Sequence, residues 1–128
     1  MADEIEVLPQ GEYVELRFLG AYSFESYARR MLLAGQACAD RKAKLLLVDI
    51  RELKEFTPTT TDRYELGRTG AKASPPGAKV AMLVTPAQFR DTFGATVARN
   101  FGLAIQAFMD REQALQWLLA TRGGPEAP

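Results

Sequence analysis

Residues 44–50 read KLLLVDI, and residues 79–85 read KVAMLVT. Each stretch holds an unbroken apolar run, at positions 45–48 in the first and 80–84 in the second. Runs of this kind are typical of strands that lie inside a sheet and are buried on both faces. Because helical patterns lie between and beside them, the two runs predict parallel strands of an α/β domain.

The segment ahead of the first run predicts an antiparallel hairpin. Residues 5–8 form a short apolar and polar stretch, and residues 9–11, PQG, give a turn signal. Apolar and polar side chains then alternate, with Val14, Leu16 and Phe18 set against Tyr13, Glu15 and Arg17. This period of two predicts a strand with one buried face and one face in water.

Four segments carry helix signals. Ser23 and Asp110 are N-cap residues for the first and the last of them. Thr-Pro pairs at 57–58 and 85–86 place a capping threonine before a proline at the first helical position of the other two. An apolar stripe at helical spacing follows the second pair: Phe89, Phe93, Val97 and Phe101. We predict that this stripe lies on one continuous helix and packs in the core instead of binding a cofactor.

The elements follow the order ββαβαβαβα. Alternating strands and helices predict parallel pairing with right-handed crossovers, and the opening hairpin adds one antiparallel strand. The predicted fold class is therefore α/β, with a mixed, mostly parallel sheet of about five strands. The 128 residues suit a single domain over positions 1–128, and residues 122–128 are predicted to form a flexible tail.

The composition excludes several kinds of function. Sixteen Lys and Arg residues balance 16 Asp and Glu residues, so the basic excess that is typical of a nucleic-acid-binding protein is missing. The chain has no histidine and a single cysteine, Cys38, which we expect in the core. Catalytic triads with histidine and zinc sites built from histidine and several cysteines are therefore excluded. We predict no metal, no cofactor and no enzymatic activity.

Two features of the sequence indicate where in the cell the protein is located. The acidic start shows no signal peptide, and no apolar stretch reaches the length of a membrane span. A lone cysteine fits a reducing compartment. We therefore expect a cytoplasmic protein without a membrane span and without nucleic acid as a partner.

Three stretches of the chain resemble the SpoIIAA-like, STAS-type group of domains. They are residues 16–20, LRFLG; residues 45–49, LLLVD, which lead through Phe56 into residues 57–62, TPTTTD; and residues 110–118, DREQALQWL. More narrowly, residues 62–67, DRYELG, resemble an uncharacterised bacterial STAS/Sec14-like subgroup. The resemblance covers nearly the whole chain and implies a SpoIIAA-like fold.

The resemblance also implies a function. Well-studied members of the group are regulators that bind partner proteins and are switched by phosphorylation of a Ser or Thr. That residue lies at the start of the helix that follows this same strand. The matching loop here offers Thr57, Thr59, Thr60 and Thr61. We therefore expect a regulatory or protein-interaction domain of STAS type, with this threonine loop as its switch.

The threonine loop has two interpretations on its own chemistry. In the first, one threonine caps the helix and the others are solvated. In the second, backbone N–H groups and hydroxyls bind an anion, and Arg51 and Arg63 supply charge. Asp49 is a further ligand-site candidate because it closes a buried strand at its carboxyl end. The alternative for Asp49 is an ion pair with Arg51 or with a neighbouring lysine.

A second candidate surface follows the opening hairpin. Tyr13, Arg17 and Tyr22 lie on the second strand or just after it, and Tyr and Arg are enriched at interfaces. They form either a contact surface or part of the core. A homodimer is one option for such a surface. The alternative to the regulatory function is a domain related to Sec14-like proteins that binds a small ligand, either a lipid or an anionic metabolite.

Overall fold

The computed structural model describes residues 5–89 and 93–120, without the side chains of residues 93 and 94. The strands are β1 (Ile5–Pro9), β2 (Val14–Phe18), β3 (Leu45–Asp49), β4 (Lys79–Leu83) and β5 (Ala104–Phe108). The helices of the described part are α1 (Phe24–Arg41), α2 (Thr60–Ala73), α3 (Pro86–Phe89), α4 (Phe93–Asn100) and α5 (Arg111–Leu119). The tail that the sequence predicts for residues 122–128 lies outside the described residues.

The strands lie in sequence order across one sheet, from β1 at one edge to β5 at the other. β1 pairs antiparallel with β2, whereas β2, β3, β4 and β5 pair in parallel. The predicted mixed α/β sheet with an opening hairpin is therefore confirmed. The apolar runs occupy β3 and β4 because these inner strands have a strand on each side and helices on each face.

The two faces of the sheet are covered unequally. Helices α1, α2 and α4 pack on one face and form the larger core, in which Leu16, Leu46, Val80 and Ile105 are buried. Helix α5 covers part of the other face. Its smaller core consists of Leu47, Ala81, Leu83, Ala114 and Leu118. Successive side chains of a strand point to opposite faces, so each inner strand contributes to both cores.

The polar side chains of β2 do not all face water. Val14, Leu16 and Phe18 pack in the larger core as predicted, but Glu15 on the opposite face is also fully buried. Helix α5 supplies Arg111, which forms an ion pair with this carboxylate. A buried charge needs such a partner in place of water. The prediction of a wet face is therefore wrong at Glu15.

The third predicted helix is described in two parts, and residues 90–92 between them lie outside the described residues. Helix α3 ends at Phe89, and α4 begins at Phe93. Val97 is buried as predicted, but 39% of Phe89 and 49% of Phe101 are exposed. The core prediction is wrong for Phe89 and Phe101, and the side chain of Phe93 lies outside the described residues.

Glycines allow α1 and α2 to approach each other closely. A Cβ atom on Gly35 would collide with the carbonyl oxygen of Ala73, and one on Gly70 would meet Sδ of Met31 at 3.2 Å. Both contacts join the two helices, so these glycines set the distance between α1 and α2. Among the described helices, none combines the length and the apolar character that crossing a membrane requires.

Candidate functional site

The start of α2 is closed by a reciprocal capping box. Thr59 is the N-cap residue, and its hydroxyl accepts a hydrogen bond from the backbone N–H of Asp62 at 3.0 Å. The Asp62 carboxylate accepts one in return from the N–H of Thr59 at 3.2 Å. The prediction that Thr57 caps this helix is therefore wrong. Pro58 is buried ahead of the helix, and the Thr-x-x-Asp pattern at 59–62 forms two capping bonds instead of one.

Asp62 places a negative charge at this helix start. Its carboxylate also accepts a hydrogen bond from the hydroxyl of Tyr22 at 3.2 Å. Burial and the neighbouring carboxylate raise the pKa of Tyr22 to about 12, so the phenol remains a donor at neutral pH. An added anion would have to lie beside Asp62, so the geometry favours the capping interpretation of Thr59 over anion binding.

The threonines of the loop face solvent. Thr57, Thr59, Thr60 and Thr61 are all exposed. The hydroxyl of Thr57 donates a long hydrogen bond of 3.4 Å to the carbonyl oxygen of Glu55. The loop is therefore a solvated surface that a partner protein or a modifying enzyme can reach.

Asp49 and Arg51 form the ion pair that was one of the two alternatives. Nε and Nη2 of Arg51 donate to the two carboxylate oxygens at 3.0 and 2.9 Å. Only 3% of Asp49 is exposed, and this burial acts to raise its pKa. The hydrogen bonds from Arg51 outweigh burial and hold the pKa of Asp49 below its usual value. Within residues 5–89 and 93–120, no three Cys, Asp or Glu side chains come together to hold a metal ion.

A cavity lies beneath α2, between the helices α1, α2 and α4 and the face of the sheet that carries the larger core. Its volume is about 110 Å³. Most of its lining is apolar and includes Ile50, Phe56, Leu66, Met82, Val84 and Ala98. Arg63 and Gln88 add polar groups at one side. We refer to this space as the outer cavity.

A more polar pocket of about 260 Å³ adjoins the outer cavity. The two spaces share Phe56, Arg63 and Gln88, and the polar pocket adds Arg51 and Thr85. We refer to it as the vestibule. Arg51 and Arg63, which the sequence singled out as a source of charge, therefore meet at the vestibule. The four threonines of the loop lie outside its lining residues.

Gln88 belongs to this site although no sequence prediction included it. Its side chain accepts a hydrogen bond from the N–H of Thr85 at 2.9 Å and donates one to the carbonyl oxygen of Ile50 at 3.0 Å. It thereby joins the end of β3 to the start of α3. A signal for Gln88 was present, because Thr85-x-x-Gln88 is a capping-box pattern.

The opposite face of the sheet carries a buried ion pair. The carboxylate of Glu15 accepts hydrogen bonds from Nη2 of Arg111 at 2.5 Å and from Nε of Arg17 at 3.2 Å. The bonds from Arg111 are the main reason that the pKa of Glu15 is lowered; burial opposes them, and Arg17 adds to the lowering. Arg17 thus takes part in the contact that fastens α5 to β2.

Tyr13, Arg17 and Tyr22 do not form one surface. Tyr13 packs against the smaller core under α5, and Arg17 lies on the same face of the sheet beside Glu15. Tyr22 packs against the larger core, with its ring centroid 5.3 Å from that of Phe56. The structure therefore places Tyr22 apart from the other two residues.

Comparison with protein-family models and with curated protein sequences found no match. Comparison with solved structures found similarity to the crystal structure of an uncharacterized protein from the DUF3478 family, with a SpoIIAA-like fold, from Shewanella loihica PV-4. The TM-score is 0.53 at 24% sequence identity, and the match covers 89% of this chain and 91% of that chain. The chain therefore has a SpoIIAA-like fold, as the sequence resemblance implied.

Proposed function

We propose that this chain is a non-enzymatic binding domain for a small amphipathic molecule. The apolar tail of the molecule occupies the outer cavity, and its anionic head lies in the vestibule. The observation that carries the proposal is the junction of the two spaces at Phe56, Arg63 and Gln88. Ligand sites commonly combine apolar walls with a few polar groups that fix orientation.

The volume of the outer cavity limits the tail. A dry apolar cavity of about 150 Å³ in another protein binds benzene. The outer cavity is smaller, at about 110 Å³, and favours an aliphatic chain over an aromatic ring. Each methylene group buried there contributes about 0.8 kcal/mol, so a short chain is enough for measurable binding.

The charge of the head group is inferred from the vestibule. Arg51 and Arg63 both line it. The buried carboxylate of Asp49 orients Arg51 through Nε and Nη2. A guanidinium group has five N–H donors, so the donors outside this pair are able to bind a second anion. Arginine suits carboxylate and phosphate oxygens equally, and we infer a head group of this anionic kind.

The test uses the full chain after removal of bound lipids, with decanoate and decanol as probes. We expect decanoate to raise the Tm and to bind in calorimetry, and decanol to bind more weakly because it lacks the anionic head. Ala98→Leu, at a buried position of the cavity wall, fills the outer cavity and abolishes binding of both probes. Ala39→Leu makes the same change at an exposed position of α1 and keeps the wild-type affinity.

Two results would count against this proposal. One is a wild-type chain that binds neither probe and carries no co-purifying lipid in native mass spectrometry. The other is decanoate binding that Ala98→Leu leaves at the wild-type level, which would place the ligand outside the outer cavity.

We propose as a second candidate a regulatory or protein-interaction domain of STAS type that is switched at the threonine loop. An exposed surface beside that loop favours it. Tyr64 in the second turn of α2 is 42% exposed, and its ring packs edge-on against the exposed ring of Phe101, with the centroids 6.2 Å apart. Phosphorylation of Thr60 would add a charge of about −2 close to Asp62 and would change how this surface attracts a partner.

Affinity capture from the source organism tests this candidate. We expect a specific protein to be retained by the wild-type chain and lost from the double variant Thr59→Ala/Thr60→Ala. Lys72→Ala, at an exposed position near the other end of α2, serves as the matched control. If no specific protein is retained, or if the double variant retains it equally, the candidate fails. The same candidate function includes a homodimer, and sedimentation of the purified chain measures whether this dimer forms.

A further inference from the structure

A second apolar cavity of about 70 Å³ lies next to the outer cavity, toward the other end of α2. We refer to it as the inner cavity. The two cavities have six lining residues in common: Tyr27, Met31, Gly70, Met82, Leu103 and Ile105. Because the same side chains line both spaces, they lie between the two cavities; we refer to these side chains as the neck and to the two cavities together as the channel.

The channel follows the direction of the strands. Val84 lines the outer cavity and Val80 the inner one, and the four residue steps of extended chain from one to the other span about 13 Å. The same offset occurs at β3, where Leu46 lines the inner cavity and Ile50, four residues later and directly after the strand, lines the outer cavity. Such small volumes over this length describe a narrow channel, and a narrow channel fits an unbranched chain.

The inner cavity offers little to a polar group. Its lining is apolar apart from Tyr27, which also lines the outer cavity, and Ser74. The hydroxyl of Ser74 is engaged, because it donates to the carbonyl oxygen of Gly70 at 2.8 Å. A ligand is therefore expected to insert its apolar end first and to leave its polar end at the vestibule.

The neck is built from groups that can move without the backbone. Met31 and Met82 are both half-buried, and an unbranched thioether side chain changes rotamer at low cost. The Sδ atom of Met31 lies so close to Gly70 that a Cβ atom there would meet it at 3.2 Å. The width of the neck thus depends on the absence of a side chain at position 70.

We propose that Gly70, Met31 and Met82 set the longest apolar tail that the domain accepts. This inference rests on the proposed ligand-binding function and specifies its ligand as a linear alkyl chain. Short chains fill the outer cavity alone. Longer chains displace the methionine side chains and extend through the neck into the inner cavity.

The experiment measures Kd for hexanoate, octanoate, decanoate and dodecanoate on the delipidated full chain. Each methylene that finds apolar contact tightens binding about fourfold, so the wild-type affinity rises through the series until the channel is full. Ala34→Leu fills the inner cavity from α1, where Ala34 is buried in its wall. We expect this variant to bind hexanoate normally and to bind dodecanoate more than tenfold more weakly. Ala39→Leu, on the exposed side of α1, is the matched control, and we expect it to bind all four chains with the wild-type affinity.

Gly70→Ala narrows the neck from the side of α2, so it tests the inference independently of Ala34→Leu. It is expected to weaken binding of the longest chains and to leave the shortest unchanged. If the wild-type chain binds the series but both variants keep its full rise in affinity, the inference is wrong and the ligand-binding function stands. If no member of the series binds the wild-type chain, the proposed function itself is wrong.

Discussion

Replacing Arg111 by methionine tests whether the buried carboxylate of Glu15 fastens α5 to the sheet. Glu15 has no exposed surface, and Arg111 donates to both of its carboxylate oxygens. Breaking a fully buried ion pair costs about 3–5 kcal/mol. Arg111 is itself 38% exposed, and Arg17 remains beside the carboxylate. We therefore expect a smaller loss, of about 2 kcal/mol in the free energy of unfolding at neutral pH.

The loss depends on pH in a defined direction. The pKa of Glu15 in the folded chain is lowered from its ordinary value of 4.5. A carboxyl group of this kind stabilises the folded state above its ordinary pKa, and the contribution disappears as the pH falls through the folded-state pKa. The contribution of the ion pair to the difference between wild type and Arg111→Met is therefore full above the ordinary pKa and is lost as the pH falls through the folded-state pKa, because protonated Glu15 no longer forms the pair.

Chemical denaturation at neutral and at acidic pH measures this difference. Arg68→Met is the matched control, because Arg68 pairs with Glu65 on the surface, and we expect little change from it. A double variant, Glu15→Met/Arg111→Met, removes both charges and should recover most of the stability. If Arg111→Met is no less stable than Arg68→Met, or if its loss does not shrink in acid, the buried pair does not fasten α5 as argued.

Two further predictions concern the helices around the site. Gly35→Ala should lower the free energy of unfolding by about 2 kcal/mol, because the added Cβ atom collides with the backbone of α2. Gly70→Ala should lower it far less, because its Cβ atom meets only a flexible side chain. Thermal denaturation of the two variants measures this difference. Thr59→Ala should lower the free energy of unfolding by about 1 kcal/mol, because the N–H of Asp62 loses its capping hydrogen bond. Thr60→Ala should leave the free energy of unfolding almost unchanged. Equal effects of the two variants would contradict the assignment of Thr59 as the N-cap residue.

Local signals in the sequence predicted most of the fold. The unbroken apolar runs of β3 and β4 marked inner strands, and Ser23 and Asp110 are the N-cap residues of α1 and α5 as expected. These signals depend on residues near one another in the chain, so they can be read without tertiary contacts. The position of the α2 cap was mistaken for a related reason: two overlapping local patterns, Thr-Pro at 57–58 and Thr-x-x-Asp at 59–62, compete, and only the folded chain shows which one forms.

The candidate site was much less accessible to sequence reasoning. Arg51 and Arg63 were singled out as sources of charge near the threonine loop, and the structure places both at the vestibule instead. Gln88 was not singled out, and Gly70 was noted only as a helix glycine that permits close packing on the sheet, without its contact to Met31. Their roles arise from contacts with side chains far away in the chain, such as that between Gly70 and Met31. Periodicity along one element carries no information about such contacts.

The sequence by itself determined the class of the domain: the number and order of its strands, the antiparallel opening and the absence of histidine chemistry. Composition and short-range pattern are enough for these properties. Tertiary structure alone decided that Glu15 is buried, since Arg111 reaches it from the far end of the chain. It also decided that two apolar cavities remain beneath α2, because the space between packed layers depends on how closely α1, α2 and the sheet approach one another.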